Sequence, residues 1–325
     1  MNRRIAFCVI SFFLPILAPG FLLAADFPAK DIRMICPWDA GGGADGITRT
    51  ISHYANQHLP KPIYVENLTG GITGPAVFEV MTSRPDGYTL GTLTYDSVTT
   101  IPRKKMIPGY RLDKLAYIAN ITREGYGLVV LKNAPWKNLT DLIADAKKRP
   151  KKIKIGTVGL GGVSHLPLIE FERMAGVQFK YIPYKGSAAE NEALLMGEVN
   201  LISTSIGDAF SVLESGQARG LAVMESNRNP KAPDCPTFIE EGYDLVRGSF
   251  LLIATAANTP KERLEILEEA FNKAFLDPKF QEWTKNVGVE AAWMSSEETQ
   301  KFVFDTQKNV NALMDKLVEQ GLLKE

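Results

Sequence analysis

Histidine, cysteine and tryptophan are scarce in this chain: three, three and four residues among 325. Three histidines leave little for a metal centre or a histidine-based catalytic relay. His53 and His58 lie five apart on one predicted helix, off the spacing that sets two ligands on one helical face. They are expected at the surface. The chain has no H-E-x-x-H pair, no G-x-S-x-G elbow and no G-K-[ST] phosphate loop, so the common hydrolase and nucleotide-using signatures are missing. It also lacks an excess of charge of either sign. Lys plus Arg and Asp plus Glu both number 37, for a formal net charge of zero, which argues against a nucleic-acid binder.

Long apolar runs are absent except at the start. Asn2-Arg3-Arg4 precedes an apolar stretch from Ile5 to Leu14, which continues to Ala25 with Pro15, Pro19 and Gly20 interrupting it. That pattern reads as a secretory signal peptide, residues 1–25; the prolines and glycine disfavour a spanning helix. Of the cysteines, Cys8 falls inside this segment. Export permits a disulfide between Cys36 and Cys235. Yet Cys36 ends a predicted buried strand and Cys235 lies in a proline-bracketed loop, so two unpaired thiols are expected.

What is present is glycine in particular places. The strand Ile32–Cys36 runs into Pro37-Trp38-Asp39-Ala40-Gly41-Gly42-Gly43-Ala44-Asp45, and a helix follows from about Gly46 to His58. Successive glycines allow a sharp turn and close approach of another molecule to the main chain. The first turn of the helix presents free N–H groups and the positive end of its dipole, a ready anion site. A tight turn with Asp45 as a simple cap is the plainer alternative. Far downstream the arrangement repeats: a strand at Lys152–Ile155, the loop Gly156-Thr157-Val158-Gly159-Leu160-Gly161-Gly162-Val163-Ser164-His165, then a helix from Leu166 to Ala175 stopped by Gly176.

Between and after these units, strands alternate with helices. Strands are expected at 63–65, 88–92, 115–121, 128–131, 179–184, 199–203, 220–224 and 250–254. Helices are expected at 75–81, 138–148, 185–196 and 208–213. Thr259-Pro260-Lys261-Glu262 and Ser295 with Glu298 carry capping signals for two C-terminal helices. The alternation argues for an α/β chain with mostly parallel sheets, in which ligands bind beyond the carboxyl ends of strands. Crossovers are expected near 122–127 and 244–249. That gives a discontinuous first domain, 26–124 with 247–325, and a second domain, 125–246.

Seven segments, in order, resemble one family: PWDAGGGAD, VENLTGG, RPDGYTLGT, GTVGLGGVSH, YIPYKGSAAENEALLMGEV and APDCPTFIEEGYD, preceded by the signal segment. They are similar to the periplasmic solute receptors of tripartite tricarboxylate transporters, also called Bug-type receptors. The resemblance implies a two-domain type II periplasmic binding-protein fold with a ligand cleft between the domains. It implies a monomeric receptor rather than an enzyme, binding a small carboxylate without metal or organic cofactor, and handing it to a permease of one large and one small membrane subunit. By the same resemblance Trp38, Ala40, Gly41, Gly42, Gly43 and Asp45 form a first clamp loop. Gly161, Gly162, Val163, Ser164 and His165 form a second. Tyr95, Lys185, Ala188, Thr204, Ser205 and Asp208 line the cleft. Two departures stand out: Asp39 occupies a position that is commonly uncharged, and Val163 replaces a small polar residue. A carboxylate at 39 disfavours an anionic ligand unless it points away or meets an ammonium group. A sensor adaptor presenting the same closed form to a kinase is the alternative role, with a secreted enzyme a remoter one.

Overall fold

The computed structural model describes residues 27–319 and 321; the segment read as a signal peptide lies outside the described residues. Ten strands form the framework. They are β1 (Ile32–Cys36), β2 (Ile63–Asn67), β3 (Thr89–Leu93), β4 (Leu115–Leu131), β5 (Lys154–Val158), β6 (Lys180–Tyr184), β7 (Leu201–Ser205), β8 (Ala218–Val223), β9 (Gly248–Ala256) and β10 (Glu290–Met294). The helices are α1 (Gly43–Ala55), α2 (Gly74–Thr82), α3 (Tyr95–Val98), α4 (Thr100–Arg103), α5 (Leu139–Lys148), α6 (Leu166–Ala175), α7 (Ser187–Leu195), α8 (Phe210–Glu214), α9 (Lys261–Leu276), α10 (Pro278–Val287) and α11 (Ser296–Glu319).

The strands follow the hydrogen-bonded order β2-β1-β3-β9-β4-β7-β5-β6, with β8 and β10 also paired to β4. In one half β1 lies parallel to β2 and β3. In the other, β5 lies parallel to β6 and β7. The pairings of β9 and β4, which join the halves, are all antiparallel. The sheet is therefore mixed rather than mostly parallel. The reason is connectivity: β4 leaves the first half and β9 returns to it, so they run in opposite directions.

Strand β4 is the main departure from the sequence reading. The segments 115–121 and 128–131 are one strand of 17 residues, and 122–127 continues it rather than interrupting it. Its first part pairs with β9, from Leu115 opposite Ala256 to Gly125 opposite Gly248. Its second part pairs with β7, from Tyr126 opposite Ser205 to Val130 opposite Leu201. The glycines at 125 and 127 suggest a turn in the sequence. Here they serve close packing instead: a Cβ on Gly127 would lie 2.7 Å from the Ala222 carbonyl oxygen, and one on Gly248 would collide with that of Glu124.

Local chemistry explains the helices. In α1, Ile47, Ile51 and Ala55 recur at helical spacing and are buried, facing Met34, Phe271 and Phe280 in one core. Burying each isoleucine contributes roughly 1.5–3 kcal/mol. Helix α5 begins where the Asn138 side chain accepts from the Asp141 N–H, and α6 ends at Gly176 in a left-handed conformation (φ 65°). The Ser295–Glu298 exchange is formed, with Ser295 N–H donating to Glu298 Oε2 at 2.9 Å and Glu298 N–H to Ser295 Oγ at 3.3 Å. At the start of α9 the reading errs. Pro260 occupies the cap position, because the Thr259 hydroxyl donates back to the Ala256 carbonyl. Helix α10 and strand β10 have no counterpart in the reading; Asp277 caps α10 by accepting from Lys279 N–H at 2.8 Å.

Separate cores form in the two halves. Leu128, Phe171, Leu201 and Phe238 centre one. The other half holds the core around Phe271 and a further one around Val77, Tyr117 and Leu252. Helix α11 reaches from one half to the other, packing Met314 and Leu317 on Leu166 and Ile169 of α6. Cys36 and Cys235 are free and buried. Among the described residues no helix is long and apolar enough to cross a membrane.

Gly248→Ala is expected to destabilise the protein by roughly 3 kcal/mol, the upper part of the usual overpacking range, because the added methyl meets backbone that cannot swing aside. Urea unfolding of the variant beside the wild type measures the loss.

Candidate functional site

The two glycine loops are built alike. In the first, Gly41 takes a left-handed conformation (φ 83°) and Gly42 is the N-cap of α1. The helix therefore starts three residues earlier than the sequence suggests, and the last glycine of the triplet lies inside its first turn. Asp45 is not the cap. Its buried carboxylate reaches back to accept from Gly41 N–H at 3.0 Å and takes further bonds from Asn67 at 2.8 Å and Arg49 at 3.0 Å. Burial pushes its pKa up, but these donors outweigh that and hold it below the usual carboxylate value. Asn67 also donates to the Trp38 carbonyl at 2.8 Å, so Asp45 and Asn67 together brace the turn. Half-buried Trp38 points its indole N–H at the Thr94 hydroxyl, 3.3 Å away. Asp39 and Ala40 are exposed.

In the second loop Gly161 is again left-handed (φ 80°). Gly161, Gly162, Val163, Ser164 and His165 are all buried. The Ser164 hydroxyl accepts from Val158 N–H at 3.0 Å and bridges the loop's ends. His165 Nδ1 accepts from Gly161 N–H at 2.9 Å, and its ring stands edge-on to Tyr181 at 4.4 Å. An imidazole that accepts there is neutral at that nitrogen. Burial, aided by the Lys104 charge, lowers its pKa from 6.5 to about 4. Both Ser164 and His165 thus brace the loop they belong to.

Each loop faces residues from the opposite half. Asp208, after β7, brings its carboxylate to the N-terminus of α1, while its own N–H donates to Ser205 Oγ at 3.1 Å; burial raises its pKa, with Ser187, Ser205 and the Gly43 amide opposing. A Cβ at position 43 would lie 2.6 Å from Asp208 Oδ1. Reciprocally, Asp96 of α3 abuts the second loop: a Cβ at 162 would lie 2.6 Å from Asp96 Oδ1. Thr100 Oγ1 stands 2.6 Å from Asp96 Oδ1 and 3.2 Å from the Gly161 carbonyl. Lys104 donates to the Leu160 carbonyl at 2.7 Å. Ile72 Cδ1 would touch a Cβ on Gly159 at 3.4 Å. Ile72 and Thr73 both carry positive φ, 50° and 69°. Such strain in β-branched residues costs on the order of 1–3 kcal/mol each and collects at functional sites. The two loops therefore share one seam between the halves.

Acidic groups gather in that seam. Burial raises the pKa of Asp96 to about 6, with Thr100 and Lys104 opposing. Burial and then Asp208 raise Glu190 well above its ordinary value, and burial followed by Asp208 raises Glu124. Tyr126 lies within electrostatic reach of all four, its hydroxyl pushed far up by burial and then by Asp208, Glu124, Asp96 and Glu190. Thr204 is buried on β7 with no partner for its hydroxyl. Tyr95 is half-buried and packs against the cores of both halves. Lys185 and Ala188 are exposed, although Ser187 between them reaches Asp208. A cavity of about 840 Å³ opens beside the crossover, lined by Arg123, Glu124, Gly125, Glu225, Arg247 and Phe250 among others. Neither glycine loop lines it.

Sequence reasoning missed Asp96, Lys104, Glu124, Tyr126, Ser187 and Glu190. Ser187 sits inside the segment YIPYKGSAAENEALLMGEV already singled out, and Asp96 directly follows Tyr95. Glu190, in Ser-Ala-Ala-Glu-Asn-Glu, looks like a solvated helix face and carries no sequence signal of its burial.

The geometry has relatives. The family profile described as the tripartite tricarboxylate transporter family receptor matches residues 47–318. The UPF0065 protein of the gbd 5′ region of Cupriavidus necator is 33% identical over 308 residues, covering 94% of this chain and 92% of that protein. Among solved structures, the periplasmic binding protein BugD superposes with a TM-score of 0.82 at 26% identity, covering 92% of this chain and 100% of that one. An R. palustris protein solved with adipate gives a TM-score of 0.84 at 26% identity, covering 89% of this chain and 98% of that one. The fold is thus the two-domain α/β fold of periplasmic binding proteins.

Asp96 and His165 oppose each other between about pH 4 and 6. The folded state holds a proton on Asp96 that the unfolded chain releases, so this group loses stability as pH rises to about 6. The unfolded chain protonates His165 below 6.5, whereas the folded protein resists until about 4, so this group loses stability as pH falls. Relative to wild type, Asp96→Asn should therefore lose stability on acidification from pH 6.5 to 4, and His165→Asn should gain it. Denaturation midpoints across this range decide the matter.

Proposed function

The chain belongs to the tripartite tricarboxylate transporter receptor family, and on that basis we propose that it is an extracytoplasmic receptor for a small organic carboxylate. In this reading the solute is held in the seam where the two glycine loops meet, and the closed protein delivers it to a permease of one large and one small membrane subunit. The observation that carries the proposal is the convergence of both strand–loop–helix units on that seam, each against a carboxylate of the opposite half. The adipate-bound relative supports the class of solute. The signal-like residues 1–25 support periplasmic localisation, and a monomer suits a receptor that presents one face to a permease.

The lobes would be residues 26–124 with 247–325, and residues 125–246. The switch of β4 partners between Gly125 and Tyr126 supports this division, as do the separate cores. Opening separates Gly43 from Asp208 and Thr100 from Gly161; closing on a solute restores contacts to both lobes. A ligand favours the closed form only by as much as it binds that form better. No covalent step is involved: Ser164 and His165 are tied to their own loop, which suits a binding role rather than turnover.

Wild-type protein purified without denaturation is expected to show a raised thermal midpoint with at least one carboxylate from a broad panel. At a hundredfold excess over Kd the gain is about 2.7 kcal/mol. Gly162→Val, which drives a side chain into Asp96, should abolish the shift. No response to any acid in wild type would defeat the proposal.

A further inference from the structure

The end of the seam beside α1 is already anionic. Asp208 Oδ1 stands at the N-terminus of α1, 2.6 Å from where a Cβ on Gly43 would lie, on the side a solute carboxylate would approach. On α7 Glu190 is fully buried, and neither of its carboxylate oxygens has a hydrogen-bond partner. Thr204, 1% exposed, likewise has an unpartnered hydroxyl. Glu190 Cγ and Ile202 Cγ2 flank the same space above Gly156, at 3.3 and 3.1 Å from a Cβ placed there. Strand alternation sets Thr204 on the face of β7 that Ile202 occupies, so the Thr204 hydroxyl and the Glu190 carboxylate share one side. Asn191, next on α7, donates to the Asp208 carbonyl at 2.9 Å, while its own Oδ1 is buried without a donor. These groups are acceptors or can act as acceptors, and they want for donors. The cation nearest in sequence, Lys185, is exposed. Lys104 is turned to the Leu160 carbonyl by the other loop.

We propose that Glu190 and Asp208, with Thr204 and Asn191, form a subsite for a protonated amine, so that the solute is an organic acid that also carries an ammonium group. The inference rests on the receptor reading above and narrows it. An ammonium group brings three donors and one positive charge. It would supply the hydrogen bonds that Glu190 and Thr204 lack and offset the repulsion that Asp208 exerts on Glu190 and on Glu124. A second solute carboxylate would add repulsion and bring no donor. The acid end of the solute is left to the second loop.

Calorimetric titration with chain-matched probes tests this. The probes are succinate, glutarate and adipate, the ω-amino acid of each chain length, and the corresponding diamines. The amino acid of at least one length should bind at least about tenfold tighter than its dicarboxylate, the scale expected for a close charge pair. Glu190→Gln should lose that preference, and Asp208→Asn should improve dicarboxylate binding; thermal unfolding of both variants verifies that they fold. Dicarboxylates binding wild type as tightly as the amino acids would overturn the amine subsite while leaving the carboxylate receptor intact. Diamines binding while every acid fails would uphold the subsite and overturn the carboxylate reading. Binding by no probe overturns both.

Discussion

A helix start buried between two halves of a protein must find acceptors for its N–H groups, and the seam of this molecule is arranged around that need. The amides of the first loop and of α1 are met by Asp45 from their own helix and by Asp208 from the other half. In the second loop His165 takes the Gly161 N–H, and Asp96 approaches from across the seam. Unpaired backbone donors in such a place would cost about as much as lost hydrogen bonds. The halves are consequently held together in the middle largely by polar groups, with apolar contacts where α11 reaches α6 and where Tyr95 packs on both cores. Polar contacts of this kind can be exchanged for a ligand's groups, whereas an apolar seam would have to be broken outright.

The arrangement is electrostatically tense. Asp96, Glu124, Glu190 and Asp208 all have their ionised forms disfavoured, first by burial and, for Glu124 and Glu190, then by Asp208. Left-handed Ile72 and Thr73 add backbone strain against the second loop. None of these features helps the chain fold. They are tolerated because the cores on either side, around Phe271 and around Phe171, are extensive and buried, and such costs are characteristic of sites that await a partner.

The link between the halves is equally specific. Strand β4 runs through both, and β9 pairs with only its first part. At the change of partners Gly125 faces Gly248, with no side chain between the two backbones. The crossing is glycine-paired, and on either side of it β4 pairs with a different strand, β9 before it and β7 after it.

Periodicity and punctuation in the sequence were enough to locate both strand–glycine loop–helix units, the α11 cap and the end of α6, because each depends on residues within a turn of one another. The α/β class and the receptor family were legible for the same reason: their signals are local and occur in order along the chain. The mixed sheet, the continuity of β4 and the start of α1 at Gly43 were decided by pairing with distant strands and by an acceptor brought from residue 208. So were the burial of Glu190 and the meeting of Asp96 with Gly162. These are contacts between segments far apart in sequence, and no local pattern encodes which carboxylate will be brought to which amide.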